Sequence, residues 1–303
     1  MIRQGSRVYI NTPAKLNLFL ELTGRRADGY HELETLMVPI NLYDHVSVAP
    51  LNDSPEIRFQ CDWASGTEKE HLIDLPDYKG NVAYQAVQRL QQESSIQAGA
   101  EVRLVKRIPA QAGLGGGSSD AAAALVAANE AWQLNWSRER LAGLAASLGS
   151  DVPFFLWNTL SRCTGRGEKI EPLPTAGRYS FVLIKPTEGL STPAVFKVSQ
   201  ISDRPRDSEQ IIAALRAMNP VQLGHSLFNR LQSAAEKLTN WIGIISRAMD
   251  QFGVCGHQMS GSGTSYFGVC RNHRHARHVA ARLRATQLGQ VFVASTLGPT
   301  QAH

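Results

Sequence analysis

Apolar and polar residues alternate with period two at the start of the chain. Leu16, Leu18, Leu20 and Leu22 share one face of a predicted strand, and Lys15, Asn17, Phe19 and Glu21 share the other. Lys15 and Asn17 therefore project the same way. The polar stretch 23–31 interrupts the pattern, with Asp28-Gly29 as a turn signal, and β-rich sequence resumes over 33–48. Further strands are expected over 56–62 and 101–108. Between them Val82, Ala83, Ala86, Val87 and Leu90 form a helical stripe that Asn81 is suited to cap.

After Pro109 comes Gly113-Leu114-Gly115-Gly116-Gly117-Ser118-Ser119-Asp120 and then an alanine-rich segment to Trp132, a glycine loop opening a helix. A second helix is expected from an N-cap at Ser137 through Leu141, Leu144, Ala145 and Leu148, with Gly149 placed to end it in the left-handed conformation. From Tyr179 the pattern gives an apolar strand to Lys185, several helical segments, strands over 254–259 and 265–270, a helix to Thr286 and a last strand over 291–294. This close has the form of a split β-α-β unit with an inserted hairpin. At 303 residues the chain is longer than one core usually serves, so two domains are expected, 1–160 and 161–303, without a marked linker between them.

Composition narrows the class. Hydrophobic residues make up 43% and charged residues 19%, a globular balance that excludes a mainly disordered or fibrous chain. No apolar run reaches the length of a membrane span, and residues 1–7 lack the apolar core of a secretory signal, so a cytoplasmic protein is expected. The four cysteines form no C-x-x-C pair, as in reduced cytosolic enzymes. The net charge of +5 would draw an anionic small molecule as readily as nucleic acid.

The glycine loop carries the strongest chemical signal. Backbone N–H groups crowded at a helix N-terminus lack partners and sit at the positive end of the helix dipole, which suits a phosphate. No G-K-[ST] follows, so it is not a Walker A loop, and Ser118 replaces the last glycine of G-x-G-x-x-G. A flexible turn before an alanine helix is the plain alternative. Asp151 either caps the turn that follows it or serves as a carboxylate base, and Lys15 is either a solvated strand lysine or a cation facing phosphate. The cluster Met259-Ser260-Gly261-Ser262-Gly263 reads by itself as a wide hairpin. Arg271, Arg274, His278 and Arg282 lie opposite Ala276, Val279, Ala280 and Leu283 and read as a solvated helix face. Nucleic-acid contact there, or metal binding by His273, His275 and His278, is the lesser alternative.

Taken in order, the three segments resemble the GHMP small-molecule kinases over nearly the whole chain. The first motif is Pro13 to Leu20 continuing through Gly24-Arg25-Arg26-Ala27-Asp28-Gly29-Tyr30-His31, the second runs from Pro109 to Ala121, and the third is Met259 to Gly263. The resemblance implies an α+β fold of two domains, S5-like at the N-terminus and ferredoxin-like at the C-terminus. It implies ATP as phosphoryl donor, with Mg²⁺ expected, and Ser118 and Ser119 offer hydroxyls although no protein ligand of the metal is identified. Asp151 would be the general base and Lys15 its catalytic partner. Pro109, Gly113, Leu114, Gly115, Gly116, Gly117, Ser118 and Ser119 would wrap ATP, with Lys106 and Asn81 as further nucleotide contacts.

The D-G-Y-H tail sets this chain apart from mevalonate, homoserine and galactose kinases. It implies a cytidyl diphosphate substrate held by Asn17, Asp28, Tyr30 and His31 and phosphorylated on the 2-hydroxyl of a methylerythritol unit, a step toward isoprenoid precursors. A monomer or weak homodimer is expected, with neither nucleic-acid nor membrane partners. Asn229-Arg230-Leu231-Gln232 departs from the family's N-D-L-E, and no role is read for it. The rivals are another kinase of this fold, which should lack Asp28-Gly29-Tyr30-His31, and a sensor or nucleic-acid-binding protein, which could lose Lys15 or Asp151.

Overall fold

The computed structural model describes residues 1–65, 78–174 and 177–298. In chain order these hold β1 (Ile2–Gln4), β2 (Arg7–Arg25), β3 (His31–Leu51), β4 (Ile57–Trp63), α1 (Val82–Ser94), β5 (Gly99–Lys106), α2 (Gly116–Ala131), α3 (Arg138–Leu148) and α4 (Val152–Trp157). There follow β6 (Ser161–Gly165), β7 (Lys169–Pro172), β8 (Ser180–Pro186), α5 (Thr192–Val198), α6 (Glu209–Arg216), α7 (Pro220–Ser226), β9 (Phe228–Asn229) and α8 (Gln232–Ala235). The chain closes with α9 (Trp241–Gln251), β10 (Gly256–Met259), β11 (Tyr266–Cys270), α10 (His273–Ala285) and β12 (Gly289–Ser295). Among the described residues no helix is long and apolar enough to cross a membrane.

Two compact units interleave along the sequence. The first comprises Met1–Ala14, Leu42–Ala110 and Gly115–Asn158, and the second Lys15–Asn41, Gln111–Leu114 and the chain from Thr159 onward. The long strands β2 and β3 pass from one unit into the other.

In the first unit β1 pairs antiparallel with the start of β2, the end of β3 pairs antiparallel with β5, and β5 pairs in parallel with β4. A parallel pair needs a crossover, and α1 supplies it. Asn81 caps α1 as expected, its Oδ1 accepting from the Ala83 N–H at 2.9 Å, and the stripe Ala83, Ala86, Val87 and Leu90 is buried. Helix α2 buries Ala121–Leu125, Ala127 and Ala128, so small side chains occupy nearly its whole circumference and let α1 and α4 approach closely. Ser137 caps α3. Gly149 corrects an expectation: it ends α3 at φ 170°, in extended rather than left-handed backbone. The chain leaves directly into a turn closed by the Val152 N–H on the Gly149 carbonyl at 3.2 Å.

In the second unit the start of β3 pairs antiparallel with β6, β6 with β7, and β9 runs parallel to β2 through Phe19 and Phe228. A separate sheet has the order β10-β11-β8-β12, antiparallel throughout. With helices before the β10-β11 hairpin and α10 after it, this is the ferredoxin-like arrangement of a split β-α-β unit. Its core joins Val182, Ile184, Ile245, Met249, Tyr266, Val279 and Leu283 with Leu20 and Leu22 of β2.

Candidate active site

Within the second unit, parts of all three sequence motifs meet at one lysine. Lys15 lies on β2 and is buried, which excludes the solvated strand lysine. Its Nζ donates to Asn17 Oδ1 at 2.5 Å, as two residues on one strand face should permit. Asn17 is oriented in turn, since its Nδ2 donates to Thr35 Oγ1 at 2.9 Å and the Thr35 hydroxyl donates to the Phe19 carbonyl. The Lys15 N–H donates to the Leu114 carbonyl, which brings the first glycine loop against this strand. The Ser260 hydroxyl donates to the Gly113 carbonyl at 3.1 Å, and the Ser265 N–H donates to the Ala112 carbonyl. A Cβ on Gly113 would stand 2.5 Å from the Ser260 oxygen and 2.6 Å from the Gly263 oxygen, so only glycine fits there, and φ is +70°. A Cβ on Gly261 would lie 3.1 Å from Asn17 Oδ1 and 3.5 Å from Lys15 Nζ. The third cluster does join β10 to β11, but it is also part of the wall around Lys15.

In the first unit the glycine loop becomes the N-terminus of α2. Gly115 takes the N-cap position at φ 70° with no side chain to cap it, and the Ser119 N–H makes the bond to the Gly115 carbonyl that opens the helix. Helix geometry leaves the first N–H groups without intrahelical partners, a site suited to phosphate oxygens. A Cβ on Gly116 would meet Ile108 Cγ2 at 3.0 Å, so the helix start rests directly on the end of β5, and Pro109 is buried in the same connection. Gly117 is exposed and Ser118 half-buried, whereas Ser119 Oγ is buried with no hydrogen-bond partner.

Lys106 lies beneath this loop in a buried cluster, its ammonium bonded to Asp44 and, at 2.6 Å, to Asp120. Asp44 also accepts the N–H of Ile108, and Asp120 accepts the Thr12 hydroxyl at 2.8 Å. Burial opposes the charged ammonium, but the two carboxylates outweigh it and raise the Lys106 pKa. Burial also dominates at Asp120, whose carboxyl is pushed up to about 7 against the pull of Lys106. Asn81 spends its side-chain oxygen on the α1 cap. Asp151 stands at the N-cap position of α4, yet its carboxylate makes no capping bond, so the capping alternative does not account for it.

The D-G-Y-H segment forms the turn between β2 and β3. Asp28 accepts from the Arg26 guanidinium at 3.0 Å and from the Tyr30 N–H at 3.1 Å, and the Arg26 bond holds its carboxyl below the usual range. It therefore fixes the turn. Tyr30 is 56% exposed with the Arg166 guanidinium 5.0 Å from its ring centre, and the His31 ring lies 5.4 Å from that of Phe196. Burial, with the Arg25 charge adding to it, lowers the His31 pKa and favours a neutral imidazole. Phe196 and Arg166 have no local sequence signal that would have joined them to this turn. Phe196 sits on a short helix some 165 residues away, and Arg166 at a hairpin tip.

The GHMP kinases N terminal domain model matches residues 81–159, and the GHMP kinases C terminal model matches 211–287. A 4-diphosphocytidyl-2-C-methyl-D-erythritol kinase of Pelotomaculum thermopropionicum is 38% identical over 288 residues, 94% of this chain and 96% of that protein. One of the same name from Bacillus subtilis is 34% identical over 298 residues, 98% of this chain and 99% of the other. A crystal structure of 4-(cytidine 5'-diphospho)-2C-methyl-D-erythritol kinase superposes with a TM-score of 0.80 at 34% identity, covering 96% of this chain and all of that one. A homoserine kinase from Cytophaga hutchinsonii, at 17% identity and a TM-score of 0.72, shares the fold. Full-length identity of this order joins what the GHMP models and the shared fold leave general to one branch, and the chain belongs to the 4-diphosphocytidyl-2-C-methyl-D-erythritol kinase family of the GHMP kinases.

Proposed function

We propose that this chain uses ATP to phosphorylate the 2-hydroxyl of 4-diphosphocytidyl-2-C-methyl-D-erythritol, the non-mevalonate step toward isoprenoid precursors, with Asp151 as general base and Lys15 as its catalytic partner. The observation that carries the reading is the meeting of the first and third glycine loops at Lys15, the first on its backbone N–H and the third beside its ammonium. Phosphoryl transfer needs little covalent help from protein; it needs charge neutralised and groups aligned. The N-terminal turn of α2 would hold the ATP phosphates on backbone N–H groups, with the glycines allowing close approach. Lys15, fixed by Asn17, would offset charge developing on the transferred group. Asp151 would accept the proton of the attacking hydroxyl.

Mg²⁺ fits the donor set as a phosphate-held ion. Ser119 offers a buried hydroxyl without a partner beside the phosphate site, and no group of three His, Cys, Asp or Glu side chains among the described residues could form a metal cage. When bound, the ion would neutralise phosphate charge. Tyr30, His31 and Phe196 offer aromatic faces for the cytosine, and a neutral His31 can hydrogen-bond its edge. We expect it to work in the reducing cytoplasm, where Cys61, Cys255 and Cys270 would stay thiols, as a monomer or weak homodimer. A coupled assay of ATP turnover with the cytidyl substrate, mevalonate, homoserine and galactose tests the assignment. Turnover should require the cytidyl substrate, and preference for an acceptor without a nucleobase would refute it.

A further inference from the structure

The segment Asn229 to Gln232, where the chain departs from its family's pattern, grips the third glycine loop. Asn229 closes β9 and is buried. Its Nδ2 donates to two carbonyl oxygens, of Met259 and Gly261, each at 2.8 Å, while its Oδ1 accepts the Leu231 N–H at 3.0 Å. Gln232 Oε1 accepts the Met259 N–H at 3.0 Å, so the loop entrance is held on both its donor and its acceptor. The grip is itself anchored to the strand that bears Lys15. Leu20 pairs with Asn229, the Arg230 N–H donates to the Leu20 carbonyl at 2.8 Å, and the Arg230 guanidinium makes two 2.7 Å bonds to the buried Glu21 carboxylate. Glu21 has its remaining capacity filled by the N–H groups of Leu22 and Arg206.

We infer that Asn229 is a positioning residue, which sets the 259–261 backbone against Asn17 and the Lys15 ammonium and acts on phosphoryl transfer through Lys15. Gly261 is the point of delivery, since a Cβ there would crowd Asn17 Oδ1 at 3.1 Å and touch Lys15 Nζ at 3.5 Å. An asparagine is required because both gripped groups are acceptors. An aspartate of the same shape would turn an oxygen toward two carbonyl oxygens and lose both bonds, leaving buried acceptors unsatisfied.

This inference rests on the role proposed for Lys15, and the test separates the two. Asn229→Asp, checked for folding by circular dichroism, should lose at least tenfold in kcat, with KM for ATP and for the cytidyl substrate within threefold of wild type. In a Lys15→Met background the same change should cost no further rate, because the contact it serves is gone. Hydrogen exchange read on a peptide spanning 256–266 should accelerate at least tenfold in Asn229→Asp, whether or not the enzyme turns over the cytidyl substrate. Wild-type kcat in the folded variant, a rate loss that multiplies with that of Lys15→Met, or unchanged exchange would each overturn the inference. Should Asn229→Asp not fold, Gln232→Leu removes one bond of the same grip and is held to the same criteria with at least threefold effects. A wild-type enzyme inactive on the cytidyl substrate would overturn the functional reading instead, and the exchange result would still decide the grip.

Discussion

Lys106→Met should lower the unfolding temperature of the first unit by about 10–15 °C. The Lys106 side chain is 8% exposed, and its partners Asp44 and Asp120 are 0% and 2% exposed. Methionine keeps most of the aliphatic stem, so the packing loss is small and the perturbation is chiefly the removal of a charge. Breaking a buried ion pair by deleting one partner costs about 3–5 kcal/mol, and a unit of this size loses roughly 3 °C for each kcal/mol. The sign of the pH dependence follows from Asp120. Its carboxyl is pushed up to about 7, by burial first and the Asp44 charge second among the raising causes. The folded state therefore binds more protons than the unfolded one between the ordinary aspartate pKa and that value. The stability this group contributes is present in full at the acid end and is lost as pH rises through about 7.

Without Lys106 the two carboxylates repel unopposed, so the deficit of the variant should grow from about pH 5 to about pH 8. Calorimetric melting across that range is the assay, with Asp120→Asn, which removes one of the two negative charges and keeps the shape, expected to lose much less. A Lys106→Met midpoint within 2 °C of wild type, or a deficit largest in acid, would refute the reasoning. A raised KM for ATP at an unchanged midpoint would return Lys106 to the nucleotide contacts implied by the family resemblance.

Asp151→Asn should lower kcat by about 10²–10⁴-fold with substrate affinity nearly kept, and near wild-type turnover would remove Asp151 from the base role. Gly113→Ala places a Cβ 2.5 Å from the Ser260 oxygen at φ +70°, so it should reduce both the melting temperature and kcat/KM at least tenfold in the latter; Gly117→Ala, with nothing within 4 Å, should leave the melting temperature in place. Tyr30→Ala should raise KM for the cytidyl substrate about tenfold to a hundredfold, the worth of one aromatic stack, with KM for ATP unchanged; an equal rise in both would contradict a base platform.

Local chemistry was legible where one segment decides its own structure. Period-two leucines placed β2, Asn81 and Ser137 announced their helices, and the glycine run before the alanines marked the start of α2. Gly149 shows the limit of that reading, since a glycine after a helix permits the left-handed conformation without demanding it, and the next turn chose extended backbone. Residues whose partners lie far along the chain left less trace. Lys106 looks the same on paper whether it meets a nucleotide or two aspartates, and Asp44 is 62 residues away. The Arg230 that replaces an acidic residue is explained only once β9 is seen beside β2, where it meets Glu21. A single cut near residue 160 has no means of expressing strands that belong in part to each compact unit.

That interleaving matters for how the chain is made. The first unit has all its residues once synthesis passes Asn158, but the part of β2 bearing Leu20 and Leu22 belongs to the second, where these leucines share a core with residues of β8, α9, α10 and β12. At typical bacterial and eukaryotic elongation speeds the ribosome needs on the order of ten seconds to add that remainder. For that interval an apolar, strand-forming segment near the N-terminus is without its final neighbours, so a nascent chain stalled midway should be an early customer of holdase chaperones.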